Sequence, residues 1–191
     1  FENGIYDIAH DSLMEFSPDI VITNKIPWNY NPEAYSELAD KTLNKIACDD
    51  KGIRAVLEEA VGYSFLRRNE MSKAFFLTGA GSNGKSTFLD MVNNVVGEEN
   101  RASLGLEELD ERFAIATLGN KLINTGDDIS DDFLQGRAIA NFKKLVSGNE
   151  VKAEFKGENA FFMKPYTKFF FSANSLPRTR SKGFGALLRR L

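Results

Sequence analysis

Residues 74–87, AFFLTGAGSNGKST, constrain this chain more than any other stretch. The apolar run Ala74-Phe75-Phe76-Leu77 predicts a buried parallel strand. A glycine-rich turn follows, and then a segment in which Phe88, Val92, Val95 and Val96 recur at helical spacing. The turn fits G-x-x-x-x-G-K-[ST] through Gly79, Gly84, Lys85 and Ser86. Glycines let the backbone wrap so that successive N–H groups point at one anion. The following helix presents its positive end to the same place. Lys85 can reach the terminal phosphates of a nucleoside triphosphate, and the Ser86 hydroxyl can ligate Mg²⁺. With glycine at about 7% of residues, the four fixed positions coincide by chance in roughly 1% of chains of this length. The whole loop, Gly79, Ala80, Gly81, Ser82, Asn83, Gly84, Lys85, Ser86 and Thr87, is therefore the expected nucleotide-binding element.

The same letters satisfy G-x-G-x-x-G through Gly79, Gly81 and Gly84, a dinucleotide fingerprint. That reading leaves Lys85 and Ser86 without a role. It also wants an acid at the end of a second strand, whereas Glu98 and Glu99 follow a helical segment.

Composition narrows the rest. A chain of 191 residues, 42% hydrophobic with 16 Phe, suits one core with at most a small subdomain. No apolar run approaches the roughly 20 residues that span a bilayer, so no membrane partner is expected, and the expected location is the cytoplasm. The N-terminus does not resemble a secretion signal, and Phe1 at the first position marks a piece of a longer chain. A lone cysteine, Cys48, rules out an internal disulfide and fits a reducing compartment. His10 is the only histidine, which excludes catalytic triads and multi-histidine metal sites. Net charge is −3, but its distribution is uneven: residues 137–191 carry 12 Lys/Arg against 3 Asp/Glu, and residues 1–136 carry 12 against 24. One basic surface facing a polyanion is one reading, and mutual neutralisation of the two halves in the fold is the other.

Along the chain, residues 2–8 read as a short strand and turn, with Asn3-Gly4 supplying the turn residues. Ile20-Val21-Ile22 reads as a strand, and residues 26–32 as an extended linker between prolines. From Glu33, Ala39, Leu43, Ile46 and Ala47 form a helical stripe. After Asp49-Asp50 a second stripe follows, with Ile53, Val56, Leu57, Ala60 and Val61. Residues 1–70 are thus expected as a small, mainly helical N-terminal region, and residues 71–191 as the α/β core. Within the core, Leu106, Leu109 and Phe113 predict a helix. Residues 121–125 predict a strand ending in Asp127-Asp128. A carboxylate at the end of a strand beside such a loop can hold the Mg²⁺ shell, and a neighbour can polarise the attacking water. The residues leave open which of the two does which, and an acidic turn is the plain alternative. Ile123 occupies the Asp position of N-K-x-D, so that guanine-selecting motif is absent.

Residues 137–148 predict a helix with Ile139, Phe142 and Val146 inward, ended by Gly148-Asn149. In residues 150–162, Val151, Ala153 and Phe155 alternate with Lys152, Glu154 and Lys156. Gly157-Glu158-Asn159 then turns the chain, predicting a hairpin with lysines near its tip. Such lysines also suit an ordinary edge hairpin protected by charge. Residues 168–174, KFFFSAN, predict a second buried strand ending in Asn174, a polar residue placed to orient water or sense phosphate. Residues 178–191 are basic and loop-like.

In this order, the motifs resemble the superfamily 3 helicases, and in particular the primase-helicases of phages, plasmids and poxviruses. The resemblance rests on G-x-G-x-N-G-K-S-T, the acid-tipped strand, the lysine hairpin after K-K-L-x-S-G-N, F-F-S-A-N-x-L-P and the terminal Arg-Arg. Upstream, ENGIYDI, IPWNYNP and the helix ending in Glu59-Ala60-Val61-Gly62-Tyr63 add to it. It implies an α/β P-loop NTPase fold of AAA+ type, a parallel sheet flanked by helices. It also implies a ring, usually a hexamer, that hydrolyses ATP with Mg²⁺ to translocate on single-stranded or forked DNA. Carried over by position, Lys85 and Ser86 are Walker A, Asp127 and Asp128 are Walker B, and Asn174 resembles sensor 1. Lys152 and Lys156 match the hairpin that lines the DNA channel. Arg190, in preference to Arg189, matches the arginine finger that completes a neighbour's site. The family often has Glu where this chain has Asp127, and a shorter acid sits further from the water. No acidic pattern for primer synthesis is visible, which places any primase domain upstream. Two other functions use the same loop: an ATP-switched initiator that binds DNA without unwinding it, and a small-molecule kinase.

Overall fold

The computed structural model describes residues 1–127 and 136–174. It opens on an antiparallel hairpin, β1 (Ile5–Asp7) and β2 (Ser12–Met14), with Ile5 opposite Met14. Ile20, Val21 and Ile22 form no strand and are exposed, because β1 takes β2 as its partner and leaves this segment none. The segment that follows lies against the body of the protein. Ile26 is buried, and the Trp28 indole N–H donates to the Asn94 carbonyl at 2.8 Å.

Helix α1 (Glu37–Ile46) starts at Ser36, whose hydroxyl accepts from the Ala39 N–H. It starts later than the sequence suggests because the Asn31 side chain accepts from the Glu33 N–H and holds a turn there. Helix α2 (Lys51–Ser64) is capped by Asp50, which accepts from the Gly52 and Ile53 N–H groups. Its buried residues are Leu57, Ala60, Tyr63 and Ser64, whereas Ile53 and Val56 face solvent. Arg54 locks the two helices together, donating to the Asp40 and Glu58 carboxylates at 2.8 Å each.

Strand β3 (Phe75–Thr78), helix α3 (Lys85–Val96) and strand β4 (Arg101–Ala102) come next. The helix expected around Leu106 is replaced by two 3-10 turns, at Glu107–Asp110 and Ala114–Leu118. Strand β5 (Ile123–Gly126), helix α4 (Gly136–Val146), the hairpin β6 (Val151–Ala153) and β7 (Phe161–Met163), and strand β8 (Lys168–Ala173) complete the described chain.

Four strands form one parallel sheet in the order β3-β8-β5-β4. Every residue of β8 is buried, as a central strand covered on both faces requires. Strand β3, expected to be buried, is only half-buried through Phe75, Phe76 and Leu77, because among the described residues it lies at the sheet edge. Side chains alternate across β8. Phe169 and Phe171 enter a core with Phe142 and Leu145 of α4, Leu106, Leu109, and Val151 of the hairpin. Phe170 points to the other face, into a core with Phe88, Leu89 and Val92 of α3, Leu57 and Ala60 of α2, and Ala47. The result is a parallel sheet between helical layers, an α/β P-loop NTPase-type fold. No helix among the described residues is long and apolar enough to cross a membrane.

Two buried polar side chains tie the layers. Lys168 is 1% exposed, and its ammonium donates to the Leu66 and Tyr166 carbonyls at 2.5 Å each, 4.7 Å from the centroid of the Tyr63 ring. Burial pushes its pKa down to about 7. Asn69 sends its amide to the carbonyls of Leu145 at 3.2 Å and Pro165 at 3.4 Å, joining the approach to β3 with the end of α4.

Candidate active site

The loop between β3 and α3 is shaped by what cannot be there. A Cβ on Gly79 (φ +150) would lie 2.0 Å from Asn83 Nδ2, and one on Gly84 (φ +86) would lie 2.7 Å from Ile46 Cγ1. Gly84 is the N-cap of α3 and offers no side-chain acceptor, so the first N–H groups of the helix remain free for an anion. Ser82 holds a left-handed φ of 61° beside them, a conformation that costs about 1 kcal/mol or more outside glycine. Lys85 folds back over the loop, and its Nζ donates to the Gly79 carbonyl at 2.7 Å and to Asn83 Oδ1 at 3.1 Å. The ammonium thus sits at the mouth of the same concavity into which the backbone amides can turn.

Across from it, β5 ends at Gly126 and delivers Asp127 to the sheet's C-terminal edge. The Ser86 hydroxyl lies 3.4 Å from Asp127 Oδ2. Two oxygens on adjacent corners of a magnesium octahedron stand about 3 Å apart, so Ser86 and Asp127 fit a site for that ion. Magnesium commonly takes one or two protein oxygens and completes its shell with water and phosphate oxygens. Asn174 follows β8, one step beyond the Thr78–Ala173 pair, which brings it level with Gly79. The strand that carries Asn174 therefore lies between the strand of the loop and the strand of the acid.

A family of unknown function, DUF5906, matches residues 77–190. The chain belongs to this family. A second profile, D5 N terminal like, matches residues 1–62. A helicase-named protein of Acanthamoeba polyphaga mimivirus, L207/L206, is 22% identical over 205 aligned residues. That alignment covers 99% of this chain and 20% of the relative, so the chain spans about one-fifth of the viral protein. Among solved structures, the C-terminal region of NrS-1 is similar at a TM-score of 0.61 and 17% identity, over 85% of this chain and 38% of that one. The JCV helicase is similar at a TM-score of 0.55 and 17% identity, over 83% of this chain and 44% of that one. These likenesses agree with the resemblance to superfamily 3 helicases that the motifs carry.

Asp128, Arg189 and Arg190 lie outside the described residues. Lys152 and Lys156 are exposed on the β6–β7 hairpin, which packs on the sheet face away from α3 and does not join the loop and the acid. Lys152 pairs across the hairpin with Phe162. Lys156 occupies a corner of the tip turn closed by Glu158 N–H and the Phe155 carbonyl at 3.1 Å. The hairpin is held from below by Val151 and Ala153 in the core and by Arg112, which grips both Glu154 oxygens at 2.7 and 3.0 Å. Thr87 is exposed in the first turn of α3. For a dinucleotide reading, Glu98 and Glu99 sit in a 3-10 turn after α3, not at a strand end.

One residue of the candidate site escaped the sequence reading. Ser172, buried in β8, donates its hydroxyl to Asp127 Oδ1. Nothing in its local sequence marks it, since the bond depends on register between strands 45 residues apart.

Proposed function

We propose that this chain is the ATPase core of a DNA helicase motor that acts as a ring, with ATP between subunits. The observation that carries the reading is the convergence of Lys85 and Ser86 on one strand exit with Asp127 on another, with Asn174 at the end of the strand between them. The loop amides and Lys85 would bind the triphosphate. A bound Mg²⁺, held at Ser86 and Asp127, would supply charge neutralisation at the phosphates. Asp127, or Asp128 beside it, would orient the attacking water, and Asn174 would hold that water or the terminal phosphate by hydrogen bonding. Arg190 of a neighbouring subunit would stabilise the charge that develops in the transition state, a contribution worth about 10³–10⁵ in rate for such fingers. The exposed Lys152 and Lys156 would grip backbone phosphates, so that DNA binding is tolerant of sequence and sensitive to salt. A helicase-named relative and the D5 N terminal like match support this assignment.

The deciding experiment is ATP hydrolysis by the full-length protein with and without single-stranded DNA, at two salt concentrations, beside a Lys85→Ala control. Stimulation by DNA that fades with salt and vanishes in the variant supports the motor. Turnover indifferent to DNA replaces it with an ATP-switched initiator.

A further inference from the structure

The Asp127 carboxylate is held on both sides, and the second hold has no role in the mechanism above. Strands β5 and β8 run in parallel with Gly126 opposite Phe171, so the next step sets Asp127 beside Ser172. The strands are kept close there by the lack of a side chain on Gly126, whose Cβ would lie 2.6 Å from Phe171 Cδ1. Ser172 shares the face of β8 with Phe170, the face that packs on α3. Its hydroxyl therefore points towards the start of α3, where Ser86 stands. Ser172 is 2% exposed and binds Asp127 Oδ1, while Ser86 approaches Oδ2. A carboxylate on two soft torsions, held at one oxygen from the sheet, has its other oxygen aimed at the loop.

We propose that Ser172 is the positioning residue that aims the Asp127 carboxylate at Ser86 and so sets the site's affinity for the divalent cation of a metal–nucleotide complex. The proposal rests on the reading of Asp127 as the acid of a triphosphate site. Groups that orient a metal-binding side chain without touching the ion typically change metal affinity by about 10–100-fold. Ser172 would do so through one hydrogen bond, leaving the phosphate contacts of the loop untouched.

The test is binding of a fluorescent ATP analogue to the full-length protein, titrated with Mg²⁺, for wild type, Ser172→Ala, Ser172→Thr and Lys85→Ala. Ser172→Ala is expected to raise the half-saturating Mg²⁺ by about 10–100-fold. It should leave metal-free nucleotide affinity and the melting temperature near wild type. Ser172→Thr, which keeps the hydroxyl, should restore the Mg²⁺ requirement. A Ser172→Ala protein with the wild-type Mg²⁺ requirement overturns the proposal, and so does an equal loss of affinity with and without metal. If wild type and Lys85→Ala bind the analogue alike, the nucleotide site itself is refuted and the proposal falls with it.

Discussion

Ile46, the last residue of α1, fills the space that a side chain on Gly84 would need: a Cβ there would meet Ile46 Cγ1 at 2.7 Å. The end of α1 therefore forms a wall of the loop between β3 and α3. Gly84→Ala carries a backbone cost of about 1–3 kcal/mol at φ +86, and the collision adds to it. Trimming the neighbour with Ile46→Ala should relieve the second part only. In a double-mutant cycle read by denaturant midpoints, the pair should cost less than the sum of the single variants by about 0.5–3 kcal/mol. Strict additivity would mean that the two residues do not meet.

Lys168 gives the fold a pH dependence of its own. Burial lowers its folded pKa from 10.5 to about 7. Below about pH 7 both the folded and unfolded chains carry the charge, and the cost of burying it is fully present. Between about 7 and 10.5 the unfolded chain holds a proton that the folded chain has released. The contribution to stability then rises with pH, by at most about 1.4 kcal/mol per pH unit. The carbonyls of Leu66 and Tyr166 favour the charged form and soften the slope. Measured as the stability difference between wild type and Lys168→Met from pH 6.5 to 10, wild type should gain on the variant as pH rises. A difference that stays flat would show that Lys168 titrates alike in both states.

The hairpin lysines should act on DNA alone. Neither Lys152 nor Lys156 has an ion-pair partner among the described residues, and both are exposed. Each change to alanine should weaken single-stranded DNA binding similarly for all sequences. Each should also reduce the slope of log affinity against log salt by about 0.7. ATP turnover without DNA should be unaffected. An unchanged salt slope would remove these lysines from the DNA path.

Asn69 should matter for stability far more than its position before β3 suggests. It is buried, and its amide reaches the Leu145 and Pro165 carbonyls. Asn69→Ala leaves buried carbonyls without a donor, at about 1–3 kcal/mol. Asn69→Asp, which sets an acceptor against acceptors, should cost more. Thermal melts of the two variants check the order.

Much of this was legible because the governing signals are local. The glycine-rich loop has fixed spacing, β8 carries the apolar run Phe169-Phe170-Phe171, and Ile139, Phe142 and Val146 recur at helical spacing and are buried as expected. Elsewhere the local signal was ambiguous. Leu106 and Leu109 are three residues apart, which suits a 3-10 turn as well as an α-helix, and both are fully buried in the former. In α2 the apolar row is longer than the surface that covers it. Ile53 and Val56 share the helix face of Ala60 and Tyr63, but burial begins only at Leu57, so the first half of that face stays exposed. The Ser172–Asp127 bond was not legible at all, because no pattern within either strand encodes the register between them.

The position of β8 has a consequence for how the site comes into being. Strands β3 and β5, which bear the phosphate loop and the acid, pair with β8 and not with each other. During synthesis both emerge well before their shared partner, which begins at Lys168. Until β8 inserts, each lacks its hydrogen-bonded neighbour on that side, and pairing them closes long loops. The loop and Asp127 are therefore brought together only when β8 pairs with both strands, and without it each strand presents an unpaired edge.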